Sequence, residues 1–328
     1  MPAQTQAGTT DRSGIIGQFG PTFDVPVERG AVRAFARSVY APWSVYLDDE
    51  RAVIPPTFLT TANVNWGYTL ERPRGTVLEE LDHDLSVPLH AEETYLFHGT
   101  PPRVDDRLTA RACLESLTEK PRKRGGGLTF LVLLTEFRDS DGVLVAEARS
   151  TTVTTHGASD EPTDWGSEPP AYQPRYVSLE PPDPFAAIAS ATWVDVNVGR
   201  GPGPISLGPL TMHEMVRYQA AGGEDNPLHY DLAHARAEGF PGMFGVGMHQ
   251  AGGLASYAAR WLGPQNVRSF RSRFTNVFWV GDPLTYDGKV VALREEDGQR
   301  FADLELTCTR DSDDAVIVHV WMTFELAV

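Results

Sequence analysis

MHQAGGLASYAARWLGP, residues 248–264, decides how this chain folds. No Asp, Glu, Lys or Arg appears in it before Arg260, and Ala251, Gly252, Gly253, Ala255, Ala258 and Ala259 make it slender. A helix that is apolar on most faces is buried rather than laid on a surface. Gly263-Pro264 ends it, since glycine relieves the left-handed position after a helix and proline blocks continuation. Met248–Leu262 is therefore predicted to be a central helix with a sheet drawn closely around it.

The sheet is legible downstream. Val267–Val277, Leu284–Leu293, Arg300–Thr309 and Ala315–Leu326 are strand-like runs, with turns at Asp297-Gly298 and Asp311–Asp314. Upstream lie a strand-like start, Ala191–Val198, and an amphipathic helix, Thr211–Ala221. The first half gives the same order. Val27–Tyr40 has helical spacing, Ile54-Pro55-Pro56-Thr57-Phe58 forbids a continuing helix, and Thr57–Leu70 reads as a buried helix. Leu89–His98, Arg107–Thr118, Leu128–Arg138 and Val143–Thr155 follow as strands, the last two joined by the hairpin turn Asp139–Gly142. Two copies of helix, irregular segment, buried helix and four strands make a repeat of long period. The expected class is α+β, a double hotdog in which two curved antiparallel sheets each wrap a central helix. The expected divisions are a disordered tail at 1–19, a first hotdog at 20–156, a linker at 157–184 and a second hotdog at 185–328. The linker holds seven prolines without apolar periodicity.

Composition narrows the function. Lys+Arg minus Asp+Glu is 28 − 44 = −16, so bulk attraction to nucleic acid or an anionic membrane is not expected. Cys113 and Cys308 have no metal or redox spacing and read as buried reduced thiols. Residues 1–19 lack the basic start and apolar core of a signal peptide, and Leu128–Leu134 is too short to span a bilayer. A soluble cytoplasmic protein is the expectation.

Chemistry concentrates in YQAAGGEDNPLHYDLAHARAEGFPGMFGVGM, residues 218–248. It sets Glu224, Asp225, Asn226-Pro227 and His229 on a glycine-rich loop ahead of the buried helix. Carboxylate and imidazole five residues apart can trade protons, and a helix N-terminus favours developing negative charge. A metal set at His229, Asp231 and His234 matches no strong zinc spacing, and Asp231 is placed to cap a helix over Leu232–Glu238. In the first copy Ala41, Trp43 and Tyr46 fall opposite Glu224, Asn226 and His229. One acid–base site per chain follows, with the first unit supplying a binding wall and a dimer-like interface. His213 reads as first-turn surface and His249 as packing or acyl pocket.

Gly223-Glu-Asp-Asn-Pro-Leu-His229-Tyr-Asp231, then Ala235, Gly239-Phe240 and Gly247-Met248, resembles the motif of the MaoC-like (R)-specific enoyl-CoA hydratase/dehydratase family. Arg273-Phe274 and Gly281-Asp282 extend the likeness. IPPTF at 54–58 and LHAEETYLFH at 89–98 resemble the degenerate N-terminal hotdog fused ahead of such domains. The sequence departs from the family at two positions. Glu224 occupies the slot of the family's catalytic aspartate, with Asp225 one place later, and Val246 stands where the family has a histidine before Gly-Met.

The resemblance implies a hydro-lyase acting reversibly on a 2-enoyl or 3-hydroxyacyl thioester. His229 and Glu224, or Asp225 in its place, would be acid and base, and the Gly247 N–H would hold the thioester oxygen. Asn226 would shape the loop at the substrate. No metal, redox nucleotide or prosthetic group is expected; coenzyme A or phosphopantetheine enters as part of the substrate. Arg268, Arg271 and Arg273 could pair with coenzyme A phosphates or with an acyl carrier protein, while Lys120–Arg124 reads as a solvated hairpin tip. A homodimer is the expected assembly. Dehydration of a carrier-bound intermediate, thioester hydrolysis and a non-catalytic acyl-binding subunit remain as alternatives.

Overall fold

The computed structural model describes residues 13–67, 89–121, 126–156, 166–171 and 182–327. The first half runs β1 (Phe23–Pro26), α1 (Arg29–Ser38), α2 (Ser44–Leu47), α3 (Thr60–Asn65), β2 (Leu89–Phe97), β3 (Arg107–Pro121), β4 (Gly127–Arg138) and β5 (Leu144–His156). The second half repeats that order. It runs β6 (Ile205–Pro209), α4 (Met212–Gly222), α5 (Leu232–Ala237), α6 (Gly247–Leu262), β7 (Val267–Phe274), β8 (Pro283–Glu296), β9 (Gln299–Arg310) and β10 (Ala315–Glu325).

All ten strands form one sheet in the order β1-β3-β4-β5-β2-β7-β10-β9-β8-β6. Replacing each strand of one half by its counterpart in the other reverses this order onto itself, so the repeat is a two-fold arrangement about the antiparallel β2–β7 seam. That seam runs from Glu92 opposite Arg273 to Leu96 opposite Ser269. It makes the two hotdogs one continuous surface.

Every residue of α6 except Gly247 and Arg260 is buried. Its small residues are required by what crosses it. A Cβ at Gly252 would come within 2.6 Å of Val39 and 3.0 Å of Thr57, and one at Gly253 within 2.2 Å of the Tyr286 hydroxyl. The first unit thus presses on one side of the helix and β8 on another. Leu254 is fully buried there, and truncating it to alanine would cost about 2–5 kcal/mol. The counterpart helix α3 is much shorter, and a cavity opens beside it.

Several expectations need correction. Ala191–Val198 is not a strand: Thr192 and Asp195 form a capping box that closes a 3-10 turn over Trp193–Asp195, and β6 follows later. β1 was not expected at all. Residues 13–19 lie against β3 rather than forming part of a tail. Gly17 N–H donates to the Leu114 carbonyl at 2.8 Å, and Ile15 packs on Leu114 and Leu131. Residues 1–12, 68–70 of the expected first buried helix, 122–125 of the basic cluster, and 157–165 and 172–181 of the linker lie outside the described residues. The described part of the linker packs on the second unit, where Trp279 Nε1 donates to Ser167 at 2.8 Å. Both cysteines are buried and unpaired as thiols. Among the described residues no helix is long and apolar enough to cross a membrane.

Candidate active site

The loop between α4 and α6 is built by successive caps. Thr211 and Glu214 form a capping box that starts α4. Gly223 ends it at φ 76°, where a Cβ would also meet Asn65 at 2.7 Å, so glycine is required twice over. The chain is thereby turned so that Glu224 faces inward. Asn226 then caps the 3-10 turn Pro227–His229 by accepting from Leu228 N–H at 3.1 Å. Asp231 caps α5 through Ala233 and His234 N–H, so its carboxylate is spent on structure. Leu228, Ala235 and Phe240 form a small core of their own with Leu89 and Phe244, pinning the loop.

His229 is held on both edges. Its Nδ1 lies 2.9 Å from the Phe244 carbonyl, and its Nε2 lies 3.0 Å from Glu224 Oε1. The Phe244 ring meets it edge-on, 4.6 Å between centroids. His229 is buried while Glu224 is one-third exposed, so the pair stands at a boundary between protein and cavity. A carbonyl can only accept, so the proton on Nδ1 is fixed and the transferable proton sits between Nε2 and Glu224. Asp225 is exposed; its backbone carbonyl accepts from the Tyr230 hydroxyl at 3.2 Å, and its carboxylate does not reach the imidazole.

A cavity of about 470 Å³ opens in front of this pair. Glu224, Asp225, Asn226, His229 and Gly247 line it from the second unit, and Leu59, Leu114, Leu131 and Leu133 from the first. At its edge α6 begins, with Val246 as N-cap and no side-chain cap. The Gly247 N–H is one of the first-turn donors a helix leaves open, and it has no acceptor among the described residues. A Cβ at Gly247 would come within 2.7 Å of Phe274, another lining residue. Tyr218 lies on the same wall. Burial raises its hydroxyl well above the usual range, and the charges of Glu224 and Glu93 raise it further.

Residues 196–309 match the model of the MaoC like domain, and residues 15–148 match that of the FAS1-like dehydratase domain region. The chain thus carries a FAS1-like dehydratase region followed by a MaoC-like domain. No curated protein matches the sequence. Among solved structures, one described as a MaoC-like dehydratase is 19% identical, with a TM-score of 0.70 over 95% of this chain and 99% of the other. A MaoC-like dehydratase from Phytophthora capsici is 15% identical, with a TM-score of 0.63 over 96% and 98%. A Mycobacterium tuberculosis protein described as having a double hotdog fold is 14% identical, with a TM-score of 0.57 over 94% and 96%. At these identities the likeness is one of fold.

Both departures from the MaoC-like motif have a structural reading. Glu224 reaches the imidazole directly, so the longer side chain sits where a partner for His229 is needed. Val246 is buried and leaves the α6 N-terminus without a side-chain cap. The first unit's Tyr46 is fully buried, stacked on Trp43 and not part of the cavity lining. His249 lies off the cavity lining, buried between Tyr40 and Tyr218 with ring centroids 5.2 and 5.3 Å away. His213 accepts from Arg217 at 2.7 Å.

The three arginines are not on the cavity. Along β7 Ser272 is buried and Phe274 lines the cavity, so strand alternation sends Arg271 and Arg273 to the opposite face. There both bind Glu92 of β2, while Arg268, at a bulge against β10, binds Glu325. What sequence reasoning missed is the first unit's polar lining: Asn63, His90, Glu93 and Thr135.

Proposed function

We propose that this protein catalyses the reversible addition of water to a 2-enoyl thioester, and the matching dehydration of a 3-hydroxyacyl thioester. The observation that carries the reading is the Glu224–His229 pair, 3.0 Å apart, facing the same cavity as the open N-terminus of α6.

In the hydration direction a water sits at the Nε2–Oε1 edge. As its oxygen bonds to C3, its proton passes to the pair, and the pair delivers a proton to C2. The pair begins and ends with the same single proton, so the count closes in either direction. Negative charge that gathers on the thioester oxygen is met by the Gly247 N–H and the positive end of α6. Positioned proton transfer contributes roughly 10²–10⁴-fold, and one oxyanion donor about 10²–10³-fold.

The first unit supplies the far wall, where Leu59, Leu114, Leu131 and Leu133 would receive the acyl chain. Among the described residues both walls come from one chain. The thioester carrier is coenzyme A or the phosphopantetheine of a carrier protein, which would lie outside the acyl cavity. The direct test follows the loss of enoyl absorbance with crotonyl-CoA and with a longer 2-enoyl-CoA. Turnover is expected; binding without turnover at every chain length would replace the enzyme by an acyl-thioester-binding subunit.

A further inference from the structure

A second histidine–carboxylate pair faces the same cavity from the first unit. His90 Nε2 lies 2.9 Å from Glu93 Oε2, 3.1 Å from the Glu92 carbonyl and 3.3 Å from Ser150 Oγ. His90, Glu93 and Ser150 all line the cavity, and Glu93 is only 4% exposed. In a regular strand, residues three apart point to opposite faces. Here a bulge at Ala91 shifts the register of β2 against β5 between His90 and Glu92, which brings His90 and Glu93 to one side. Bulges of this kind re-aim side chains beside functional sites.

The pair is poorly explained as a stabilising feature. A polar pair at least partly buried, as Glu93 is fully and His90 in part, is often matched or bettered by apolar residues of the same volume, and Leu114, Leu131 and Leu133 show that this cavity takes such residues elsewhere. Nor is the polar lining confined to it. Thr152, opposite His90 on β5, lines the cavity with a buried hydroxyl that has no partner among the described residues. Against a plain alkyl chain this patch would be desolvated for nothing. Against an oxygen atom it is satisfied: with two acceptors on Nε2, the ring's other nitrogen is left to face a ligand, and Thr152 can donate or accept.

Position fits the acyl chain rather than the thioester. Phe274 packs against both Gly247 and His90, with the His90 ring centroid 5.0 Å from its own. The second pair is therefore joined to the place of the thioester oxygen through one aromatic ring, and it lies on the first unit's wall, the wall whose leucines would receive the acyl chain. We propose that His90 and Glu93, with Thr152, form a polar anchor for an oxygen substituent on the acyl chain beyond C3, so that the preferred substrates are oxygenated acyl thioesters. This rests on the reading of the cavity as an acyl-thioester site.

The test measures binding of saturated probes, which needs no turnover. Decanoyl-CoA is compared calorimetrically with decanoyl-CoA bearing one hydroxyl at successive carbons from C5 to C9. The protein should bind at least one hydroxylated probe roughly tenfold more tightly than the plain one, as a well-placed buried hydrogen bond gives. Glu93→Gln and His90→Gln should each shrink that ratio, whereas a merely structural role would weaken both probes alike and leave it unchanged. Equal binding of plain and hydroxylated probes at every position, or an unchanged ratio in folded variants, overturns the proposal. If a variant does not fold, the wild-type ratio still decides. Hydration of 2-enoyl-CoA without hydroxyl preference would sink the anchor and leave the reaction standing, and the converse result would do the reverse.

Discussion

His229 Nε2 stands 3.0 Å from Glu224 Oε1 while its Nδ1 is tied to the Phe244 carbonyl at 2.9 Å. The second contact gives the first its meaning. With Nδ1–H committed to an oxygen that cannot donate, the imidazole can exchange protons only along the edge that Glu224 shares. Asp225, one residue on, has no route to that edge.

Glu224→Gln should therefore lower kcat/KM for a 2-enoyl-CoA by roughly 10²–10⁴-fold, and His229→Ala by at least as much. Asp225→Asn should have a far smaller effect. Glu224→Asp restores the residue type of the family motif but withdraws the carboxylate by one methylene, and a misplacement of that order can cost about 10²-fold. Steady-state rates for the four variants check this. A larger loss at Asp225 than at Glu224 would reverse the assignment.

Gly247→Ala should depress kcat more than it raises KM. The added methyl would meet the Phe274 ring at 2.7 Å, and relief by moving the backbone displaces the N–H proposed to meet the thioester oxygen. Because the obstacle is a side chain, Phe274→Ala in the same protein should restore part of kcat. A double variant no faster than Gly247→Ala would mean that the glycine matters for another reason.

The second unit was readable because its signals are local. A slender apolar helix, four runs of strand-like residues and a carboxylate five residues before a histidine are each visible within one window. Which of Glu224 and Asp225 reaches His229 is visible only in the geometry, since the turn at Gly223 decides which side chain faces inward. The first unit's contribution was hidden for a different reason. His90 and Glu93 share a face only because β2 bulges at Ala91, and simple alternation would have separated them. Likewise the arginines of β7 look available in sequence, and only the β2–β7 pairing shows that Glu92 already holds two of them.

That pairing predicts what Arg271→Ala and Arg273→Ala will do. Burial alone would raise the Glu92 carboxyl, yet hydrogen bonds from both guanidinium groups hold it below the usual range. The arginines are nearly half exposed, so each substitution should cost at most about 1 kcal/mol of stability, with salt reducing the difference. KM for a CoA thioester should move little, because the side chains lie on the face away from the cavity. A several-fold rise in KM with unchanged stability would restore them as phosphate contacts.

His249 should make the fold acid-sensitive. Its Nδ1 accepts from Gln250 at 3.1 Å, and its ring is closed in by Tyr40 and Tyr218. Burial pushes its pKa down to about 3, with the Arg217 charge adding to the effect and a backbone contact at Ser38 opposing it. The folded value lies below the unfolded one, so the unfolded chain binds a proton that the native state refuses. The stability this group allows is fully present above about pH 6.5 and is lost as pH falls toward 3. Within that window one proton gives a slope of about 1.4 kcal/mol per pH unit. Urea unfolding at several pH values, for wild type and His249→Gln, isolates it. Carboxylates titrate in both proteins and cancel in the comparison, and the absolute stability of the variant is immaterial because only the two slopes are compared. The wild-type slope should be the steeper between pH 6 and 4; equal slopes would mean that His249 is charged inside the fold or reaches water.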